Sequence, residues 1–238
     1  MLMQSSLHDF RKMKTNRKNF RIQAVAFDMD GLIFNSEDVY FETGTRLLAE
    51  FGFQYTHKLS DQLMGCTPQS AFEKMIAWHQ LPVSWQELQK RSNQIFLSLM
   101  PEYLQPMPGL MKLLDYLDAH EIPHAICTSS CRELVAKMLP IHGLEARFDF
   151  IITSEDVTHS KPEPEIYLKA ASRFGVAPEA MMVLEDSRNG CLSGANAGAF
   201  VTAVPGEHSR HHDFSMVNCR LERLDDAEIF RILEELRS

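Results

Sequence analysis

Ala24-Val25-Ala26-Phe27-Asp28-Met29-Asp30-Gly31 decides the fold of this chain. Four apolar, partly β-branched residues run straight into two carboxylates and a glycine. The apolar run is short and lacks polar alternation, which is the pattern of a strand buried on both faces. Such strands belong to parallel sheets, and open α/β sheets place their chemistry outside the carboxyl ends of their strands. Side-chain alternation puts Asp28 and Asp30 on one side of the strand and Met29 on the other. Like charges at that spacing repel, so a cation or a shared proton is expected beside them.

Upstream, residues 1–20 hold Arg11, Lys12, Lys14, Arg17 and Lys18. They lack an apolar h-region and therefore do not read as a secretory signal. A basic, disordered or surface-laid tail is expected. Asp9 and the missing amphipathic pattern weaken a transit-peptide reading.

Downstream, the character becomes helical from about Glu37 to Tyr103. Val39, Thr43, Leu47 and Leu48 recur on one face, and Phe51-Gly52 stops that helix. A second helix is expected over Pro68–His79. A third follows Ser84 as N-cap, with Glu87 completing a capping box. It carries Leu88, Ile95, Phe96 and Leu99 until Pro101, Pro106 and Pro108-Gly109 break it. No strand signal interrupts this block, which reads as a helical subdomain inserted after the first strand.

Beyond it, helix and strand alternate. The expected helices are Leu110–Ala119, Arg132–Leu139, Glu165–Phe174 and Gly190–Ala197. The expected strands are Pro123–Cys127, Phe148–Ile152, Met181–Leu184 and Phe200–Val204. This repetition predicts an α/β fold, a doubly wound parallel sheet with helices on both faces. The expected organisation is a tail over 1–20, a core over 21–36 and 105–238, and an inserted helical domain over 37–104.

Composition bounds the function. A chain of 238 residues with 45% hydrophobic and 24% charged content is ordinary for a soluble globular protein. A net charge of −8 argues against nucleic acid or an anionic membrane as the main partner. It also requires a local positive site for any phosphorylated substrate. No apolar run approaches the ~20 residues of a spanning helix. The five cysteines are odd in number and follow no metal-ligand spacing, so a reducing cytoplasm is the expected setting.

In a parallel sheet the carboxyl ends of the strands share one edge. Asp28 and Asp30 close the first strand, Thr128-Ser129-Ser130 the second, and Glu185-Asp186 the fourth. Lys161, after the third, can reach the same edge. Together they supply what phosphoryl transfer through an aspartyl-phosphate needs: a carboxylate nucleophile, an adjacent acid, oxygen ligands for Mg²⁺, and a hydroxyl and ammonium for the phosphate. Taken singly, Thr128 reads as a helix N-cap, Lys161 as a solvated surface residue, and Glu185-Asp186 as a capping pair. As an ordered set on four strand ends, coincidence is improbable.

The set resembles the four motifs of the haloacid dehalogenase superfamily, in its β-phosphoglucomutase-like and pseudouridine-phosphatase-like branch. Asp28 and Asp30 match the first motif and Thr128 the second. Lys161-Pro162 matches the third, and Glu185-Asp186-Ser187 with Gly190 the fourth. The resemblance spans Ala24 to Val204 and implies a Rossmann-like core with a helical type-one cap over Glu37–Tyr103. It implies Asp28 as nucleophile and Asp30 as general acid and then base. It implies Mg²⁺ on Asp28, the Asp30 carbonyl and Asp186, with Glu185 acting through water. It assigns phosphate binding to Thr128, Ser129 as the first amide after it, and Lys161.

Several positions depart from the family pattern. Asn35, in the hinge, stands where many relatives carry Asp, which bears on cap closure. Met64, Pro68 and Tyr40 stand where true β-phosphoglucomutases carry two basic residues and a histidine. The grip on a bisphosphate intermediate is therefore missing. The expected function is a Mg²⁺-dependent phosphatase acting on a small phosphorylated metabolite, a sugar phosphate or a nucleotide. The alternatives are a phosphomutase of the β-phosphoglucomutase type and, from another class, a receiver-like signalling module. A monomer or weak dimer is expected, with no nucleic-acid or membrane partner. Trp78 and Trp85 read as cap core, Cys127 as a small buried hydrophobe, and His208, His211 and His212 as a solvated turn.

Overall fold

The computed structural model describes residues 20–63, 66 and 68–236. The expected basic tail lies outside the described residues apart from Phe20, whose ring meets Phe200 edge-on at 5.2 Å. Met64, Gly65 and Thr67 also lie outside them, and with Met64 one of the three positions that depart from the β-phosphoglucomutase pattern.

β1 is Ala24–Phe27, and none of its residues is more than 1% exposed. It forms the centre of a six-stranded parallel sheet with β2 (His124–Cys127), β3 (Ile151–Ile152), β4 (Met181–Glu185), β5 (Phe200–Ala203) and β6 (Cys219–Arg220). The order is β3-β2-β1-β4-β5-β6. From β1 the chain winds outward to β3 on one side, then crosses to β4 on the other. β1 and β4 therefore flank the point where the winding reverses, the place where doubly wound sheets hold ligands. Val25 pairs with His124 and with Met182, so the strand ends are nearly level.

The helices of this unit are α5 (Leu110–Ala119), α6 (Arg132–Met138), α7 (Glu165–Phe174), α8 (Arg188–Asn196) and α9 (Ala227–Glu235). α7 buries Ile166, Tyr167, Ala170 and Ala171 at helical spacing, and all four join the apolar cluster on the sheet with Ala26 and Val183. Three elements differ from expectation. The strand read as Phe148–Ile152 is regular only over Ile151–Ile152; before it, Asp149 N still donates to the His124 carbonyl at 2.9 Å, and His124 N turns to the Asp149 carboxylate at 2.9 Å. β6 is too short to leave a period. α9 buries Ile229, Ile232 and Leu233 behind an Asp226 N-cap, a signal present in the sequence and overlooked.

The second unit is Asn35–Gln105; the first holds the described residues up to Phe34 and from Pro106 onward. The second unit contains α1 (Ser36–Ala49), α2 (His57–Leu63), α3 (Pro68–His79) and α4 (Trp85–Tyr103). α1 buries Val39, Thr43, Leu47 and Leu48, as its pattern demands. The capping box forms: Glu87 N donates to Ser84 Oγ at 3.3 Å, and Ser84 N donates to Glu87 Oε2 at 2.9 Å. Pro101 does not end α4, which runs two residues further. A proline in the last turn removes one hydrogen bond, which the packing of Leu99 and Met100 offsets. Trp78, read as core, is 42% exposed, with Lys58 Nζ 5.6 Å from its ring centre.

Asn35 stitches the two ends of this unit together. Its Oδ1 accepts from Gln105 N at 2.7 Å, while its Nδ2 donates to the Tyr103 carbonyl at 3.3 Å and to Asp38 at 3.2 Å. An ionised aspartate could make only the first of these contacts.

Candidate active site

The site is built where the central strands stop. After Asp28 and Met29 the chain reverses tightly: Ile33 N and Phe34 N both donate to the Met29 carbonyl, at 2.9 and 3.1 Å. Gly31 makes this turn possible at φ +78°, and a Cβ there would meet Asp186 Oδ2 at 2.5 Å. That close approach seats the first acidic motif directly against the fourth.

Lys161 is the hub. Its Nζ donates to Asp28 Oδ1 at 2.5 Å, to Glu185 Oε1 at 2.7 Å and to the Cys127 carbonyl at 2.9 Å. All three ammonium hydrogens are thereby used. Its side chain is 6% exposed, so it is no solvated surface residue. Glu185, wholly buried, accepts from Lys161 and from Tyr167 Oη (2.9 Å) on Oε1. On Oε2 it accepts from Ser187 N (3.2 Å) and Ser187 Oγ (3.0 Å). Gly190 leaves room for this carboxylate, since a Cβ there would lie 1.6 Å from Oε1. Gly190→Ala is accordingly expected to lower stability by about 1–3 kcal/mol through overpacking. Urea titration with unchanged midpoint would refute that.

Asp30 occupies a separate corner. Its Oδ2 accepts from Ser130 Oγ at 2.7 Å and from Thr128 Oγ1 at 3.3 Å. Thr128 Oγ1 also accepts from Ser130 N at 2.9 Å, while the N-cap position of α6 belongs to Cys131. Asp186 is 6% exposed, and Ser209 Oγ lies 3.4 Å from its Oδ2. The structure thus brings Asp28, Asp30, Thr128, Lys161, Glu185 and Asp186 to one edge. Ser129, a phosphate-binding candidate by its amide, is the next residue after Thr128 in the same turn and is exposed. Ser130, Tyr167 and Ser209 were missed as site residues. Tyr167 carried a readable signal, a buried-face position on α7 whose hydroxyl needs a partner.

Charge here is unbalanced. Burial pushes the Asp28 carboxyl well above its ordinary range, and the Glu185 and Asp30 carboxylates reinforce it against Lys161. Burial alone would lower the Lys161 ammonium, yet Asp28 and Glu185 together raise it. Burial pushes the Cys127 thiol up to about 12, so it stays a neutral thiol. The Tyr167 phenol is raised by burial and then by Glu185.

Oxygen atoms of Asp28, Glu185 and Asp186 lie within 4.8 Å of one another, and Asp30 Oδ1 is buried with no hydrogen-bond partner. Three buried carboxylates against one ammonium fit a hard divalent cation. Among the described residues this is the one carboxylate, histidine and cysteine cluster that could hold a metal ion. His208, His211 and His212 form no such group.

Residues 25–204 match the family model of the haloacid dehalogenase-like hydrolases. A probable pseudouridine-5'-phosphatase of Drosophila melanogaster is 33% identical over 193 residues, covering 78% of this chain and 82% of that protein. A phosphorylated carbohydrates phosphatase of Thermotoga maritima is 30% identical over 177 residues, covering 74% and 82%. The crystal structure of CbbY from Rhodobacter sphaeroides in complex with phosphate shares the fold. Its TM-score is 0.73 at 24% identity, covering 86% of this chain and 96% of that one.

Proposed function

We propose, for a chain that belongs to the haloacid dehalogenase-like hydrolase family, a Mg²⁺-dependent phosphatase of small phosphorylated metabolites that works through an aspartyl-phosphate. The observation that carries the reading is the Asp28–Lys161 contact at 2.5 Å at the β1 end, beside Asp186 and Glu185. It pairs a buried carboxylate with a fixed ammonium at the position where a phosphoryl group would arrive. The two relatives named above are phosphatases, and their names supply the substrate class proposed here, a sugar phosphate or a nucleoside monophosphate.

In this reading Asp28 Oδ attacks phosphorus and the leaving oxygen departs with a proton from Asp30. Asp30 then takes a proton from the water that cleaves the acyl phosphate. The hydroxyls of Ser130 and Thr128 hold Asp30 Oδ2, which orients the carboxyl for both transfers. Thr128, the amides after it, including that of Ser129, and Lys161 bear the phosphoryl charge, the largest part of catalysis in such transfers. Asp28, the Asp30 carbonyl and Asp186 would hold Mg²⁺, with Glu185 behind them. The ion would neutralise charge that Lys161 alone cannot. The all-oxygen donor set supports Mg²⁺ over Zn²⁺.

The unit Asn35–Gln105 serves as the cap that selects the substrate, a role supported by its insertion between β1 and β2. Among the described residues no helix is long and apolar enough to cross a membrane. All five cysteines are free, which supports a cytoplasmic setting.

The test is a panel of sugar phosphates and nucleoside monophosphates assayed for phosphate release with Mg²⁺. β-Glucose 1-phosphate with a trace of the bisphosphate is included. Phosphate release without glucose 6-phosphate supports the phosphatase; stoichiometric isomerisation without release makes the chain a mutase. Asp186→Ala is expected to raise the half-saturating Mg²⁺ concentration by about tenfold or more, since one of few charged ligands is lost. Full activity in excess chelator would end the metal assignment.

A further inference from the structure

Glu185 and Lys161 are both saturated by protein groups. A carboxylate offers about four lone-pair positions and an ammonium three hydrogens. Lys161, Tyr167, and the amide and hydroxyl of Ser187 occupy the four positions on Glu185. Asp28, Cys127 and Glu185 take all three hydrogens of Lys161. Tyr167 is wholly buried on α7, and its ring lies 5.0 Å from Lys161 Nζ. Ala26, Val183 and the rest of the apolar cluster that holds Tyr167 require nothing polar at that position, so a phenylalanine would satisfy packing alone.

We propose that Tyr167 is a positioning residue: by filling the last lone pair of Glu185 Oε1, it commits Glu185 to anchoring Lys161 and withholds it from the cation. The cation site then rests on Asp28 and Asp186 as its carboxylates, and Lys161 is held rigidly on Asp28. The inference rests on the phosphatase reading for its kinetic consequence and on geometry alone for its metal-binding consequence. Two readouts follow. Without the phenol, Oε1 regains a free lone pair beside Asp28 and Asp186, and Glu185 can join a bound ion. At the same time Lys161 shares a less constrained carboxylate, and the geometry needed only in the transition state loosens.

The experiment uses the full chain and Tyr167→Phe. Calorimetric titration with Mg²⁺, without substrate, is expected to show the dissociation constant falling by about threefold or more. With p-nitrophenyl phosphate, kcat is expected to fall by about tenfold with KM within about twofold, the pattern of an interaction made in the transition state. A tyrosine that merely fills space would move the melting temperature and neither of these. A folded variant that misses either change overturns the proposal. If Tyr167→Phe does not fold, Tyr167→Met, similar in length and lacking a donor, is read by the same two measurements. Wild-type chain inactive on every phosphate ester would instead overturn the phosphatase reading, and the Mg²⁺ titration would still decide the role of Tyr167.

Discussion

Asp28→Asn is expected to lose turnover by about 10³-fold or more while gaining stability in chelator. The kinetic half follows from chemistry, since an amide oxygen cannot form the acyl phosphate. The stability half follows from electrostatics. Burial, then Glu185 and Asp30, hold the native Asp28 pKa above its unfolded value. Between those two values the native state binds more protons than the unfolded one, so its stability falls as pH rises through the window. Asparagine is isosteric, keeps an acceptor for Lys161 and carries no charge. In chelator its melting temperature should exceed that of wild type, and the gap should widen as pH rises above the ordinary carboxylate range. Lys161 does not confuse the comparison. Its raised pKa contributes stability that is complete below the unfolded lysine value and lost only in strong alkali. Saturating Mg²⁺ should reverse the order, because the ion binds the native wild-type carboxylates more tightly. Near wild-type turnover in the folded variant would remove Asp28 as nucleophile. A variant less stable than wild type in chelator at about pH 8 would remove the charge argument.

Lys161→Met is expected to be the most destabilising single change at the site. The lysine side chain is 6% exposed and answers two carboxylates, Asp28 at 2.5 Å and Glu185 at 2.7 Å. Methionine keeps the apolar stem and leaves both carboxylates buried without their cation, a loss of about 3–5 kcal/mol. For a chain of this size that is roughly 10 °C in melting temperature. Turnover should fall by about 10²-fold or more, because the ammonium is held on Asp28 and its charge lies beside the place where phosphoryl charge develops. Added Mg²⁺ should restore part of the stability and little of the rate. Differential scanning calorimetry with and without Mg²⁺ checks this, and a melting temperature within ~2 °C of wild type in chelator would refute it.

Much of this site was legible in the chain itself. Asp28 and Asp30 stand behind an unbroken apolar run, and a run of that kind has few places to go other than the middle of a sheet. The end of a strand is set by the residues that leave it, so Thr128 and Glu185 could be assigned to one edge once the parallel order was inferred. Ser84 and Glu87 announced α4 because a capping box is satisfied within four residues. Pro101 misled for the converse reason. A proline's cost is local and fixed, whereas the apolar face that outweighs it is buried by elements far away. Trp78 misled similarly, since helical spacing puts a residue on a face without saying whether anything covers it.

By itself, then, the sequence determined the parallel α/β architecture, the position of the helical insertion and the acidic strand ends. Each of these rests on periodicity, on capping or on a charge following an apolar run, and all of them act over a few residues. Only the tertiary structure decided who bonds to whom. Lys161 meets Asp28 across 133 positions, and Ser130 meets Asp30 across 100. Those distances are settled by strand order, by the level register of β1 with β2 and β4, and by Gly31 and Gly190 admitting two carboxylates where a Cβ would collide. The saturation of Glu185 by Tyr167 and Ser187 belongs to the same class. A hydrogen bond depends on angstroms between side chains, and those are fixed by packing of the whole core rather than by any window of the chain.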